Sequence, residues 1–183
     1  MACTDDDFAY LRSIVLEQSS NLLDPARDYL FGSRLRALLK AKDFSSLDAM
    51  VAALRRGPER ALRRLIAEAM AVNETSFFRD RAPFELMRRE LLPALLRQRE
   101  DCRRLRLWSA ACSTGQEAYS LAMMLREDFP ELRDWKTEIL ATDLSSEAIA
   151  RARAGRYQRL EVNRGLPARS LVKFMRRVGE EWE

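Results

Sequence analysis

The residues best suited to chemistry lie in three short stretches. Asn73-Glu74-Thr75-Ser76-Phe77-Phe78-Arg79-Asp80 sets an amide, a hydroxyl and a guanidinium beside two aromatic rings, an uncommon combination for a linker. Ala110-Ala111-Cys112-Ser113-Thr114-Gly115 is a loop of small side chains following the apolar run Leu105–Trp108. Asp143 closes a second apolar run, residues 137 to 142. A glycine after a strand lets a ligand approach the backbone, and an acid ending the next strand can accept hydrogen bonds from the two hydroxyls of a ribose.

The spacing narrows the ligand. The chain lacks G-x-G-x-x-G, so a dinucleotide pyrophosphate is a poor fit, and it lacks G-x-x-x-x-G-K-[ST], which removes the triphosphate-cradling loop. A single-glycine loop with a ribose acid suits an adenosine without phosphates, and S-adenosylmethionine is the obvious such cofactor. Plainer readings stand beside this one. Gly115 also reads as a turn glycine, Asp143 as a helix cap, Asp80 as the cap of the helix containing Pro83, and the Phe pair as core.

Composition excludes much else. None of the 183 residues is histidine, so Ser-His-Asp and Cys-His catalysis and His-ligated zinc are ruled out. The three cysteines, Cys3, Cys102 and Cys112, form no C-x-x-C pair and read as reduced thiols. No stretch is apolar enough to span a bilayer, and the N-terminus is acidic (Asp5, Asp6, Asp7) where a signal peptide would be basic, so a cytoplasmic protein is expected. With 32 Lys+Arg against 28 Asp+Glu the net charge is only +4, mostly solvated helix surface. Two basic clusters stand out: Arg34, Arg36, Lys40 and Lys42, and Arg55, Arg56, Arg60, Arg63 and Arg64. Such a face suits nucleic acid, a membrane surface or an acidic protein.

The elements that must position these groups divide the chain in two. Residues 1–72 show only helical periodicity. Phe8, Leu11, Ile14 and Val15 begin it. Tyr29 to Leu39 forms a second stripe after a break at Asn21 to Pro25. Leu47 to Leu54 follows a Ser45 or Ser46 cap, and Leu62 to Met70 comes after Gly57-Pro58. This predicts a small helical bundle. Residues 73–183 change pattern: a helix over Phe84 to Arg97, then strand, glycine loop, helix, strand ending in an acid, helix, and a last helix from Pro167 to Val178. The expected class is α/β, a small N-terminal helical bundle followed by the first part of a doubly wound, Rossmann-like domain.

Residues 73–80, then Leu107-Trp108-Ser109-Ala110-Ala111-Cys112-Ser113-Thr114-Gly115-Gln116-Glu117-Ala118-Tyr119-Ser120, resemble CheR-type chemoreceptor methyltransferases. Ala141-Thr142-Asp143-Leu144-Ser145 and Ala152-Arg153-Ala154-Gly155-Arg156-Tyr157 are similar to the next block of that family. The resemblance implies methyl transfer from S-adenosylmethionine to receptor glutamates, giving glutamyl methyl esters. By the same resemblance Asn73, Thr75, Arg79, Gly115, Glu117 and Asp143 contact the cofactor, and Arg79 orients the acceptor carboxylate. Gln116-Glu117-Ala118 departs from the family's usual Glu-Glu-Pro but keeps the contacting acid. Arg34, Arg36, Lys40 and Lys42 would face the acidic methylation region of the receptor, with no nucleic acid and no membrane insertion expected. The resemblance also implies that this chain carries only the first two strands of a seven-stranded sheet, and no β-subdomain. The alternative is a catalytically incompetent fragment that binds a receptor or another acidic partner.

Overall fold

The computed structural model describes residues 3–57 and 59–183, and it divides into two compact units at Val72/Asn73. The boundary expected from the change of pattern is the observed one.

The first unit is helical. The acidic N-terminus is the first turn of α1 (Asp5–Ser19), where carboxylates meet the positive end of the helix dipole. Thr4 caps it reciprocally with Asp7: the Asp7 N–H donates to Thr4 Oγ1 (3.3 Å), and the Thr4 N–H donates to Asp7 Oδ2 (3.0 Å). Pro25 opens a single turn of 3-10 helix (Pro25–Arg27). The stripe predicted as one helix over residues 29–39 is two short ones, α2 (Tyr29–Arg34) and α3 (Arg36–Ala41), with a turn at the buried Leu35. Gly32 and Ser33, both weak helix formers, immediately precede that turn. Ser46 rather than Ser45 caps α4 (Leu47–Arg56), and α5 (Arg60–Met70) completes the unit. Pro58, half of the predicted punctuation, lies outside the described residues. Leu11, Ile14, Phe31, Leu35, Met50, Leu54, Ile66 and Met70 form its core.

In the second unit, α6 (Arg81–Leu86) passes through one π-helical turn (Met87–Leu91) into α7 (Leu92–Gln98). Pro93 explains the widened turn, because it has no N–H to give Arg89 and its ring crowds that carbonyl; the Leu92 N–H bonds instead to Met87 O. Strand β1 (Arg104–Ala110) leads through α8 (Gln116–Asp128) and a 3-10 turn (Pro130–Asp134) to β2 (Lys136–Thr142). β1 and β2 pair in parallel from Arg104↔Lys136 to Ala110↔Thr142. Leu105 and Leu107 face the core built with Phe84, Leu92, Leu96, Leu121 and Met124, while Arg106 and Trp108 point to the other face. After β2 comes α9 (Ser146–Ala154), capped by Ser145 at its start and by Gly155 at its end.

The remaining residues depart most from expectation. A small three-stranded antiparallel sheet, order β3-β5-β4, joins β3 (Tyr157–Gln158), β4 (Arg177–Val178) and β5 (Glu181–Trp182). Helices α10 (Arg159–Asn163) and α11 (Ala168–Phe174) lie between β3 and β4 in the chain. The expected helix Pro167–Val178 thus stops at Phe174, and its tail is a strand. Gly179, at φ +63°, takes the first place of a two-residue hairpin loop between Val178 and its partner Glu181, a position that favours glycine. The expectation of no β-subdomain is corrected by this sheet. No helix among the described residues is long and apolar enough to cross a membrane.

Candidate functional site

The loop after β1 is built from alternating backbone signs. Ala111 (φ +58°), Ser113 (φ +50°) and Gly115 (φ +96°) all take the left-handed region, which only glycine adopts without cost. The Cys112 N–H donates to Thr142 O (2.9 Å), and the Gly115 N–H closes a turn on Cys112 O (3.0 Å). The loop is therefore stitched to the end of β2. A Cβ on Gly115 would lie 2.9 Å from Ala152 Cβ and 3.0 Å from the Tyr157 hydroxyl. This glycine serves both its own φ and the close approach of α9.

Asp143 sits where both loops meet. Its Oδ2 accepts from the Ser113 N–H (2.7 Å) and its Oδ1 from the Ser145 N–H (2.9 Å). The reading of Asp143 as a turn or cap residue and the reading as a ligand acid are compatible, since each carboxylate oxygen has a second lone pair. Ser113 Oγ donates to Asn73 O (2.7 Å), which joins the first motif to the same junction. Glu117, in the first turn of α8, accepts at Oε1 from Ser109 Oγ (2.7 Å) at the carboxyl end of β1.

The first motif is anchored by its aromatic pair. Phe77 is fully buried among Met123, Tyr157, Val162 and Leu166, and Phe78 packs on Phe84 with ring centroids 5.2 Å apart. The Phe78 N–H donates to Ser120 Oγ (2.9 Å). Phe78 (φ +46°) and Asp80 (φ +51°) are both left-handed, so the residue between them, Arg79, stands at a sharp exposed corner. Its NH1 donates to Glu74 O (2.7 Å), which sets the direction of a half-exposed guanidinium. Asp80 begins α6 without a side-chain cap bond, contrary to its capping reading. Glu74 spends its side chain on Arg164 (2.6 Å), and that contact first, with the Arg164 and Arg79 charges, holds its carboxyl below the ordinary range.

Asn73 and Thr75 line a cavity of about 380 Å³ together with Thr114, Gln116, Ala148, Arg151 and Glu161. Arg79, Gly115, Glu117 and Asp143 are not among its lining residues. Structure thus brings Asn73, Ser113 and Asp143 into one bonded chain, puts Glu117 on the adjoining strand end, and leaves Arg79 apart at its corner. Cys112 is buried in the loop, and burial first, then the Asp143 charge, pushes its thiol up. Residues that the sequence reading did not single out complete the junction: Ser109, Ser113 and Tyr157. The serines stood inside the quoted motif, but nothing in a one-letter string says which serine reaches which partner.

In the helical unit, Arg36, Lys40 and Lys42 are exposed, whereas Arg34 is half-buried and donates to Met70 O (2.7 Å) and Ala71 O (3.4 Å). It caps the carbonyl end of α5. The second basic cluster is largely engaged within the unit: Arg55 with Asp6 and Asp7, Arg63 with Glu17 and the Tyr10 hydroxyl, Arg64 with Glu68.

A parallel β-α-β unit with a glycine loop, and an acid at the junction beyond the strand ends, defines a nucleoside-type binding domain. A family model described as "CheR methyltransferase, SAM binding domain" matches residues 73–183. The chain is 37% identical over 179 residues to chemotaxis protein methyltransferase 1 of Pseudomonas aeruginosa, covering 95% of this chain and 64% of that protein. It is 35% identical over 172 residues to chemotaxis protein methyltransferase Cher2 of Pseudomonas putida, covering 92% and 62%. A chemotaxis protein methyltransferase of Borreliella burgdorferi is 30% identical over 181 residues, covering 97% and 64%. The chain spans somewhat less than two thirds of the length of these relatives. It belongs to the CheR methyltransferase family, and the cofactor of the matched domain is S-adenosylmethionine. The residues present suit that cofactor, because Asp143 and Glu117 place spare carboxylate lone pairs at the strand ends, where ribose hydroxyls or an ammonium group can donate.

Proposed function

We propose that this chain supplies the cofactor-binding part of an enzyme that methylates glutamate side chains of chemoreceptors, giving glutamyl methyl esters. The observation that carries the reading is the Asp143 junction, which joins the glycine loop, the end of β2 and the Asn73 segment through one carboxylate and one serine. In this reading Asn73, Thr75, Arg79, Gly115, Glu117 and Asp143 form the cofactor site.

When bound, S-adenosylmethionine supplies a methyl group activated by its sulfonium. A glutamate acceptor is already ionised near neutral pH, its reference pKa being ~4.3, so this chain need not provide a general base. Its work is positional. Asp143 and Glu117 fix the donor, and Arg79 presents a guanidinium fork suited to holding a carboxylate in one direction. The bond from Arg79 to the Glu74 carbonyl makes that fork less free to wander. Arg36, Lys40 and Lys42 offer the exposed basic face for the acidic receptor region, and the enzyme acts in the cytoplasm.

Titration calorimetry with S-adenosylmethionine tests the reading. One-to-one binding is expected, weakened about tenfold or more by Asp143→Ala, the order set by losing a hydrogen bond to a charged group. An absence of heat from a folded chain would overturn it.

A further inference from the structure

Tyr157 is almost entirely buried, and it touches both motifs of the candidate site. Its hydroxyl donates to Thr114 O (2.8 Å), the carbonyl just before Gly115, and its ring meets Phe77 edge-on with centroids 5.1 Å apart. The missing Cβ of Gly115 is what lets the hydroxyl come so close. Burial, above all, raises the phenol far above its ordinary range, so it remains a donor throughout neutral pH. The same side of the small sheet holds the first motif a second time: a Cβ on Gly165 would fall 2.0 Å from Phe77 O, and Arg164 pairs with Glu74.

We propose that Tyr157 is a positioning residue that fixes the spacing between the glycine loop and the Asn73–Arg79 segment, and thereby sets cofactor affinity. A neutral core tyrosine would need only its ring. Here the hydroxyl has a single accepting carbonyl, and that carbonyl belongs to the loop that carries Gly115. The inference rests on the cofactor reading above, and its test separates the two.

Tyr157→Phe removes the hydroxyl and keeps the ring on Phe77. Hydrogen exchange of the ligand-free variant should accelerate in residues 111–116 by tenfold or more, with little change in β2 or α7. Calorimetry with S-adenosylmethionine should show affinity reduced at least fivefold at a temperature where the variant is fully folded. Phe77→Leu, which leaves the hydroxyl contact in place, should instead accelerate residues 73–79. Wild-type affinity in Tyr157→Phe, or exchange raised evenly across residues 73–183, would overturn the proposal. If the wild-type chain takes up no cofactor, the cofactor reading fails, and the exchange pattern alone upholds or overturns the positioning role.

Discussion

Gly115 shows how one residue can satisfy a local and a distant demand together. Its φ of +96° is costly for any side chain, and the nearest atoms to an added Cβ are Ala152 Cβ at 2.9 Å and Cα at 3.1 Å. Gly115→Ala should therefore lose about 2 kcal/mol or more, combining backbone strain with a clash that rigid helix atoms cannot relieve. Ala152→Gly added to it should recover the clash but not the strain, so the double variant should fall between the two. Chemical denaturation measures this, and a Gly115→Ala variant as stable as wild type would show that the loop relaxes freely. The glycine was legible in the sequence as a loop residue. Its second role was not, because Ala152 lies one strand and one helix further along the chain.

At the scale of elements, the legible parts were those with sustained periodicity. α1, α4, α5 and α8, the two parallel strands and the unit boundary follow from apolar spacing and caps. The small antiparallel sheet did not, since its strands are two residues each and too short for any period to register. That sheet and α10 nevertheless hold the first motif, partly through Glu74 and Arg164. The folded carboxyl of Glu74 lies below its ordinary value of 4.5, because it accepts from Arg164 and sits near Arg79. A depressed value means that the contact's stabilisation is fully present above the ordinary value and is lost as pH falls through the folded one. Wild type should thus exceed Glu74→Gln in stability at pH 7, and the difference should shrink towards zero below about pH 4. Both partners are more than half exposed, so the difference is small and falls with added salt. Paired denaturation curves at pH 7 and pH 3 check it; a gap that widens in acid would contradict the ion pair.

On the scale of the whole molecule, the two units divide labour by charge as well as by fold. The first carries the exposed basic face, and within it the four cations named from sequence are not equivalent. Arg34 is bound to the carbonyl end of α5, which leaves less of it for a partner, whereas Arg36, Lys40 and Lys42 face solvent. Sequence spacing could not separate them, because the carbonyls that Arg34 caps lie 36 and 37 positions away. Two different outcomes follow. Arg34→Ala should destabilise the helical unit by about 1 to 2 kcal/mol, the usual loss for a part-buried charged hydrogen bond, and so lower its melting temperature. Arg36→Glu, Lys40→Glu and Lys42→Glu should leave melting nearly unchanged, yet weaken association with an acidic receptor fragment. Wild-type association should itself weaken between low salt and 0.5 M salt, since exposed charges are screened within about 8 to 10 Å at ordinary ionic strength. Thermal melts and receptor-fragment titrations across salt separate the roles. Association indifferent to both salt and the three reversals would remove the basic face from the receptor interface, and leave Arg34 as a structural cap alone.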